Sequence, residues 1–212
     1  VPFTRGPEYS RHFKDIKLEA ESVSDRGARE IILLGQNVNA YNYSIGGKEY
    51  HLNYLINLIS EIDKIKRIRY TTSHPINMSD NLINLHLKNK KLMPFLHLPV
   101  QSGSDKILKM MNRKYTSSDY QKIIERLKKT RPDIEISSDF IVGYPGETDK
   151  DFEETLKLVE EVKFTQSYSF IYSERPGTKS FLEDDEVSLK VKKERLSILQ
   201  NKLKDIQLPI EY

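Results

Sequence analysis

The sequence predicts an α/β fold built around parallel strands, and three observations predict it. Short apolar runs alternate with helical stretches along the whole chain. Each run ends in glycine, proline or polar side chains, and most of the helical stretches carry their own start signal. Strict strand–helix alternation calls for parallel strands joined by right-handed crossovers. An incomplete (β/α) barrel and a doubly wound sheet both satisfy the pattern. In either, the ligand site lies beyond the carboxyl ends of the strands.

The elements follow in order. Residues 15–27 carry Ile16, Leu18, Ala20 and Val23 on a helical period and close at Gly27, a glycine stop. Residues 30–34 are an apolar run before Gly35, as expected of a strand buried on both faces. Leu55, Ile56, Leu58, Ile59 and Ile62 give residues 52–62 a wide helical stripe. Residues 67–72 alternate and are rich in β-formers, so they form the second strand. A helix over 79–88 and a strand over 95–98 come next, then a helix that Ser104-Asp105 caps and that runs to Met111. Ser117-Ser118-Asp119 opens a helix to Thr130, which Pro132 ends. A strand over 134–142, a helix over 148–162 with a Thr-x-x-Asp start, and a strand over 167–172 complete the alternation. Residues 187–206 form one long basic helix.

Composition narrows the possibilities. At 37% hydrophobic and 31% charged residues the chain suits a soluble globular domain, and no apolar run approaches the roughly 18–20 residues of a membrane span. A net charge of +3 permits an RNA partner without requiring one. There is no cysteine, so disulfides are excluded and any metal ligand within the chain must be His, Asp or Glu. The five histidines show no His-x-x-x-His spacing, which argues against zinc. No serine lies in a nucleophile elbow, and the Gly143 loop is not followed by the Gly-Lys-Ser/Thr of a phosphate-binding loop.

Polar residues after each strand are therefore where chemistry is sought. Gly35-Gln36-Asn37-Val38-Asn39 sets carboxamides at the first strand end, either as ligand contacts or as a solvated turn. Ser73-His74-Pro75 follows the second, with His74 more in keeping with a structural role. Gln101 and Ser102 follow the third, where they suit ribose hydroxyls, and the helix start at Ser104 suits an anion. Asp139 lies on the fourth strand, and Gly143-Tyr144-Pro145-Gly146-Glu147 ends it with a turn that lets backbone approach a planar ligand.

Taken together, Leu33 to Tyr41, Thr72-Ser73-His74-Pro75, His97 to Asp105 and Ser138 to Thr148 resemble the tRNA methylthiotransferases of the radical-SAM superfamily. Ser169 to Ser173 and Arg175-Pro176-Gly177-Thr178 fit as well, so the resemblance covers essentially the whole chain. It implies an incomplete radical-SAM (β/α) barrel over residues 1–186, with its first strand and cluster loop truncated. Residues 187–212 become a basic helix leading toward a C-terminal RNA-binding domain. The family's Cys-x-x-x-Cys-x-x-Cys motif is expected immediately upstream of Val1, and the fragment alone is expected to be inactive.

The resemblance further implies S-adenosylmethionine and two 4Fe-4S clusters as cofactors, and a tRNA anticodon loop as substrate. It also implies an electron donor such as flavodoxin or ferredoxin, no membrane, a monomer, and a cytoplasmic location (mitochondrial or plastid in a eukaryote). Gln36-Asn37-Val38-Asn39 resembles the branch that thiomethylates C2 of N6-isopentenyladenosine after a 5′-deoxyadenosyl radical removes its hydrogen. By position, Gln36 and Asn37 match the methionine end, Gln101 and Ser102 the ribose, and Gly143, Phe170 and Tyr172 the adenine. Ser73 and Asp139 face the mouth. Arg113 suits a carboxylate partner or is a surface cation. Arg5, Lys190, Lys192, Lys193 and Arg195 suit RNA phosphates or a solvated face. Two rivals stay open: a ribosomal-protein or threonylcarbamoyladenosine methylthiotransferase, and a cluster-free RNA-binding scaffold.

Overall fold

β-formers arranged on a period of two build seven strands in the computed structural model, which describes residue 6, residues 8–174 and residues 187–207. The chain divides into two units, one up to Pro94 and one from Phe95.

In the first unit, α1 (Phe13–Asp25) precedes β1 (Glu30–Leu33), and α2 (Leu52–Ser60), β4 (Arg67–Tyr70) and α3 (Asp80–Lys88) follow. β1 and β4 pair in parallel from Glu30↔Arg67 to Leu33↔Tyr70. Leu52, Leu55, Ile56 and Ile59 of α2 pack in a core with Ile65, Ile68, Leu82 and Ile83. α1 starts before the predicted position because the His12 ring, an unusual cap, accepts the Lys14 amide at 3.0 Å.

Strict alternation is interrupted here, contrary to the sequence expectation. β2 (Asn42–Ile45) and β3 (Lys48–His51) form an antiparallel hairpin between β1 and α2. Gly46 and Gly47, at φ 59° and 75°, supply the two positive values that a tight hairpin turn needs. The strands are largely exposed, so they carry no apolar stripe to betray them.

In the second unit, β5 (Phe95–His97), β6 (Glu135–Val142) and β7 (Gln166–Ile171) form a parallel sheet in that order. Leu96, Ile136, Ser138, Phe140 and Val142 fill its buried face. α4 (Asp105–Met110) and α5 (Ser117–Thr130) link β5 to β6, and α6 (Asp149–Val162) links β6 to β7. Reciprocal capping boxes, Thr116 with Asp119 and Thr148 with Asp151, start α5 and α6. α7 (Leu189–Ile206) packs on β7 and α6, so it belongs with this unit. Parallel strands run in both units, and the described residues form no closed barrel.

Candidate functional site

In the first unit the loops after β1 and β4 are stitched together. Val38 donates its amide to the Thr72 carbonyl at 3.1 Å. Asn39 donates to the His74 carbonyl at 2.9 Å and accepts the His74 amide at 2.8 Å. Asn37 donates to the Asn77 side chain at 3.0 Å. Asn39 and His74 thus hold the loops in place, and His74 also caps the turn at Ile76. Thr72 is forced to φ 62°, a value that a β-branched residue adopts only under strain. Beside it, the Ser73 hydroxyl and the Asn37 side-chain carbonyl are buried without a hydrogen-bond partner. Gln36 is exposed and lines, with Asn37, Leu33 and Tyr41, a cavity of about 780 Å³.

In the second unit the sheet's other face is polar and open. His97 and Ser137 pair through Nδ1 and Oγ at 2.9 Å, and His97 Nε2 lies 3.5 Å from the Asp139 carboxylate. Tyr168, the register partner of Asp139, and Phe170 project from β7 and are each about half exposed. His97 was missed among the candidate residues. Its signal was period two: Leu96 and Leu98 face the core, so the histidine between them faces away.

Gln101 sits in the left-handed region at φ 77° and is almost fully buried. Its backbone is fixed on both sides, its amide donating to Asp139 O and its carbonyl accepting from Ile141, each at 2.9 Å. Val100 is pinned between the Ser138 hydroxyl and the Tyr115 hydroxyl, each at 3.0 Å. Burial pushes the Tyr115 phenol up to about 12, against the nearby Arg113 charge, so it stays a donor. Strain this heavily constrained marks a site whose geometry is imposed by its surroundings.

Ser102 departs from its predicted role. It is fully buried and turned away from the strand-end opening, its hydroxyl accepting the Ser104 amide at 3.1 Å and meeting Thr155 of α6 at 3.3 Å. Gly103 leaves no choice, because a Cβ there would lie 2.5 Å from the Glu154 carbonyl oxygen. The anion expected at the start of α4 is also replaced. Asp151 already occupies that end, accepting from Ser104 at 2.7 Å and Lys106 at 3.0 Å. Although burial opposes it, the Thr148 and Ser104 hydroxyls, the Thr148 amide and Lys106 hold Asp151 well below the usual carboxylate range.

Gly143 lies at φ 71° at the end of β6. Its amide donates to the buried Glu147 carboxylate at 2.7 Å. Burial pushes Glu147 up, against the opposing pull of that amide and of Arg195. Tyr172 packs edge-on against Tyr144, and its hydroxyl is buried without a hydrogen-bond partner. Arg113 is half-buried just past α4, and its Nε atom lacks a partner.

The basic helix divides. Lys190 and Lys193 are exposed. Lys192 and Arg195, expected at RNA phosphates, are each only 6% exposed and turn inward, Arg195 pairing with Glu147 and Asp149. A buried, paired guanidinium is not turned toward a phosphate, and the Lys192 stem is packed against Gly143, so these two leave the RNA set. Arg5, and Arg175 to Thr178, lie outside the described residues.

Comparison with known proteins gives a consistent neighbourhood. The Radical SAM superfamily matches residues 1–159. A tRNA-2-methylthio-N(6)-dimethylallyladenosine synthase of Wolbachia pipientis subsp. Culex pipiens is 57% identical over 98% of this chain and 47% of its own length. Proteins of the same name from Rickettsia canadensis and Pelagibacter ubique are 56% and 55% identical, with 47% and 46% of their lengths covered. The chain thus spans about half the length of the curated relatives it matches. Among solved structures, coproporphyrinogen III oxidase (HemN) from Escherichia coli aligns at TM-score 0.62 and 16% identity, covering 91% of this chain and 47% of HemN. The methyltransferase TsrM from Kitasatospora setae aligns at 0.59 and 16% identity, covering 76% of this chain and 31% of TsrM. At that identity the likeness is one of fold alone.

Proposed function

Because this chain belongs to the radical SAM superfamily, we propose that it is the S-adenosylmethionine-binding part of an enzyme that methylthiolates C2 of N6-isopentenyladenosine in a tRNA anticodon loop. The observation that carries this is the condition of the strand ends. Thr72 and Gln101 are held at positive φ, and Ser73, Asn37 and Tyr172 bury polar atoms without partners. Orphaned atoms at that depth cost about 1–3 kcal/mol each unless a ligand or an ordered water meets them. High identity to proteins named for this reaction supports the same reading.

These residues fit S-adenosylmethionine. Asn37 and Ser73 offer unpaired groups for its amino-acid end, and Gln36 lies on the adjoining cavity wall. In the second unit, position in the family's motifs makes Gln101 the candidate for the ribose hydroxyls and the Gly143 backbone, Phe170 and Tyr172 the candidates for adenine. When bound, S-adenosylmethionine supplies the methyl group and the one-electron chemistry. The chain binds and orients it and keeps water away. The residues do not fit an iron–sulfur cluster in the same way: none of the 212 is cysteine, so none provides a cluster thiolate. Asp139, with His97 behind it, accepts a hydrogen bond from a base or ribose brought to the open sheet face. The target base has to be splayed out to arrive there, as single-stranded RNA readout commonly requires.

A substrate panel tests this. The enzyme at the full length of its relatives is offered anticodon stem-loops carrying isopentenyladenosine or threonylcarbamoyladenosine, and a ribosomal-protein substrate. Methylthiolation of the isopentenyladenosine stem-loop alone is expected. Turnover of either alternative instead moves the chain to another branch, and binding without turnover on any of them favours the scaffold reading.

A further inference from the structure

Two side chains of α7 grip the loop that ends β6. Arg195 donates through Nη1 to the Glu147 carboxylate at 2.8 Å and to the Glu147 carbonyl at 3.0 Å. Its Nη2 donates to Asp149 at 2.7 Å. The same Glu147 oxygen accepts the Gly143 amide at 2.7 Å, so both ends of the loop close on one carboxylate held by one guanidinium. Lys192, one turn earlier, lays its stem over Gly143. A Cβ on Gly143 would lie 2.3 Å from Lys192 Cγ. The Lys192 ammonium then reaches 5.4 Å from the centroid of the Tyr172 ring, which itself packs against Tyr144 at 5.0 Å.

A purely structural role explains this poorly. A buried ion pair is a weak source of stability, because desolvation offsets most of the attraction and an apolar pair does as well. Burial pushes Glu147 up despite its donors. What an ion pair supplies, and an apolar contact does not, is direction. Here it holds the carboxylate to which the Gly143 amide is bonded, while Lys192 lies over the Tyr172 ring.

We propose that Arg195 and Lys192 are positioning residues, through which α7 sets the geometry of the Gly143–Glu147 loop and so its affinity for the nucleoside end of the ligand, without touching it. This rests on the reading of that loop as the adenine end of the S-adenosylmethionine site.

The test compares Arg195→Ala, Arg195→Lys and Leu199→Ala in this chain. Leu199 is a fully buried core residue of the same helix and controls for lost stability. Amide hydrogen exchange at Gly143 and calorimetric affinity for S-adenosylhomocysteine are read for each. Arg195→Ala is expected to speed Gly143 exchange and weaken binding about tenfold, within the usual range for coupled sites. Arg195→Lys, which keeps the charge but not the fork, is expected to recover part of both. Leu199→Ala is expected to lower the melting temperature while leaving both readouts near the unsubstituted values. If Arg195→Ala fails to fold, faster Gly143 exchange in Arg195→Lys supports the proposal and unchanged exchange overturns it. Equal effects of Arg195→Ala and Leu199→Ala at matched stability also overturn it. If the unsubstituted chain binds no S-adenosylhomocysteine, the adenine reading falls, while the exchange data still decide whether Arg195 holds the loop.

Discussion

Gln101 offers a way to separate backbone strain from side-chain chemistry. At φ 77° any residue with a Cβ crowds its own carbonyl, at a cost of roughly 1–2 kcal/mol that glycine escapes. Glycine also frees the unfolded chain, which costs about 0.4–1 kcal/mol. Gln101→Ala and Gln101→Gly both remove the carboxamide, so its packing cancels between them. The glycine variant is therefore expected to be the more stable by about 0.5–1 kcal/mol. For a chain of this length that is a melting-temperature difference of roughly 1–4 °C. Urea denaturation with matched m-values measures the difference directly. Both variants are expected to lose affinity for S-adenosylhomocysteine alike, since both lose the group assigned to the ribose. An alanine variant as stable as the glycine variant, or more so, refutes the claim that the backbone is strained there.

Gly103→Ala is expected to destabilise strongly, by about 3 kcal/mol or more, because the new methyl meets the backbone of α6 at 2.5–2.6 Å rather than a flexible side chain; a melt within about 1 °C of the unsubstituted chain contradicts it. Ser102→Ala is expected to cost about 1–2 kcal/mol through its lost contacts to Ser104 and Thr155, with ligand affinity unchanged; a selective loss of affinity restores Ser102 to the ribose site. Asp151 titrates below its unfolded value, so its stabilisation is complete above about pH 4 and disappears as the pH falls through its folded value. The stability difference between the unsubstituted chain and Asp151→Asn is thus expected to shrink as the pH falls below about 4. Glu147, raised by burial, acts in the opposite sense, and comparison at a single site removes it. A difference that stays constant from pH 7 to 3 contradicts the account of a carboxylate held ionised by the Thr148 and Ser104 hydrogen bonds and Lys106.

Much of the fold was legible because burial imposes a period. α5 spans the residues predicted from Tyr120, Ile123, Ile124 and Leu127, and the Thr148 and Ser79 caps start helices where the side-chain chemistry says they should. The β2–β3 hairpin was not legible, since exposed strands lack an apolar stripe and only Gly46-Gly47 marks the turn. Among candidate residues, position after a strand led to Gln101, Ser73 and Gly143, all of which lie at strand ends, but gave no sign that Ser102 turns inward to Ser104 and Thr155, a contact made across the fold. Charge was the poorest guide. Lys190 and Arg195 look alike in the sequence, yet one is solvated and the other is clamped to Glu147, a long-range pairing that local sequence does not encode.

The most direct measurement is nucleoside analysis of tRNA from cells that lack their own methylthiotransferase and express this protein at the full length of its relatives. The proposed function predicts that 2-methylthio-N6-isopentenyladenosine appears as isopentenyladenosine falls, and that Ser73→Ala with Asn37→Ala reduces the conversion. Unconverted isopentenyladenosine, with the protein folded and its cofactors loaded, contradicts it.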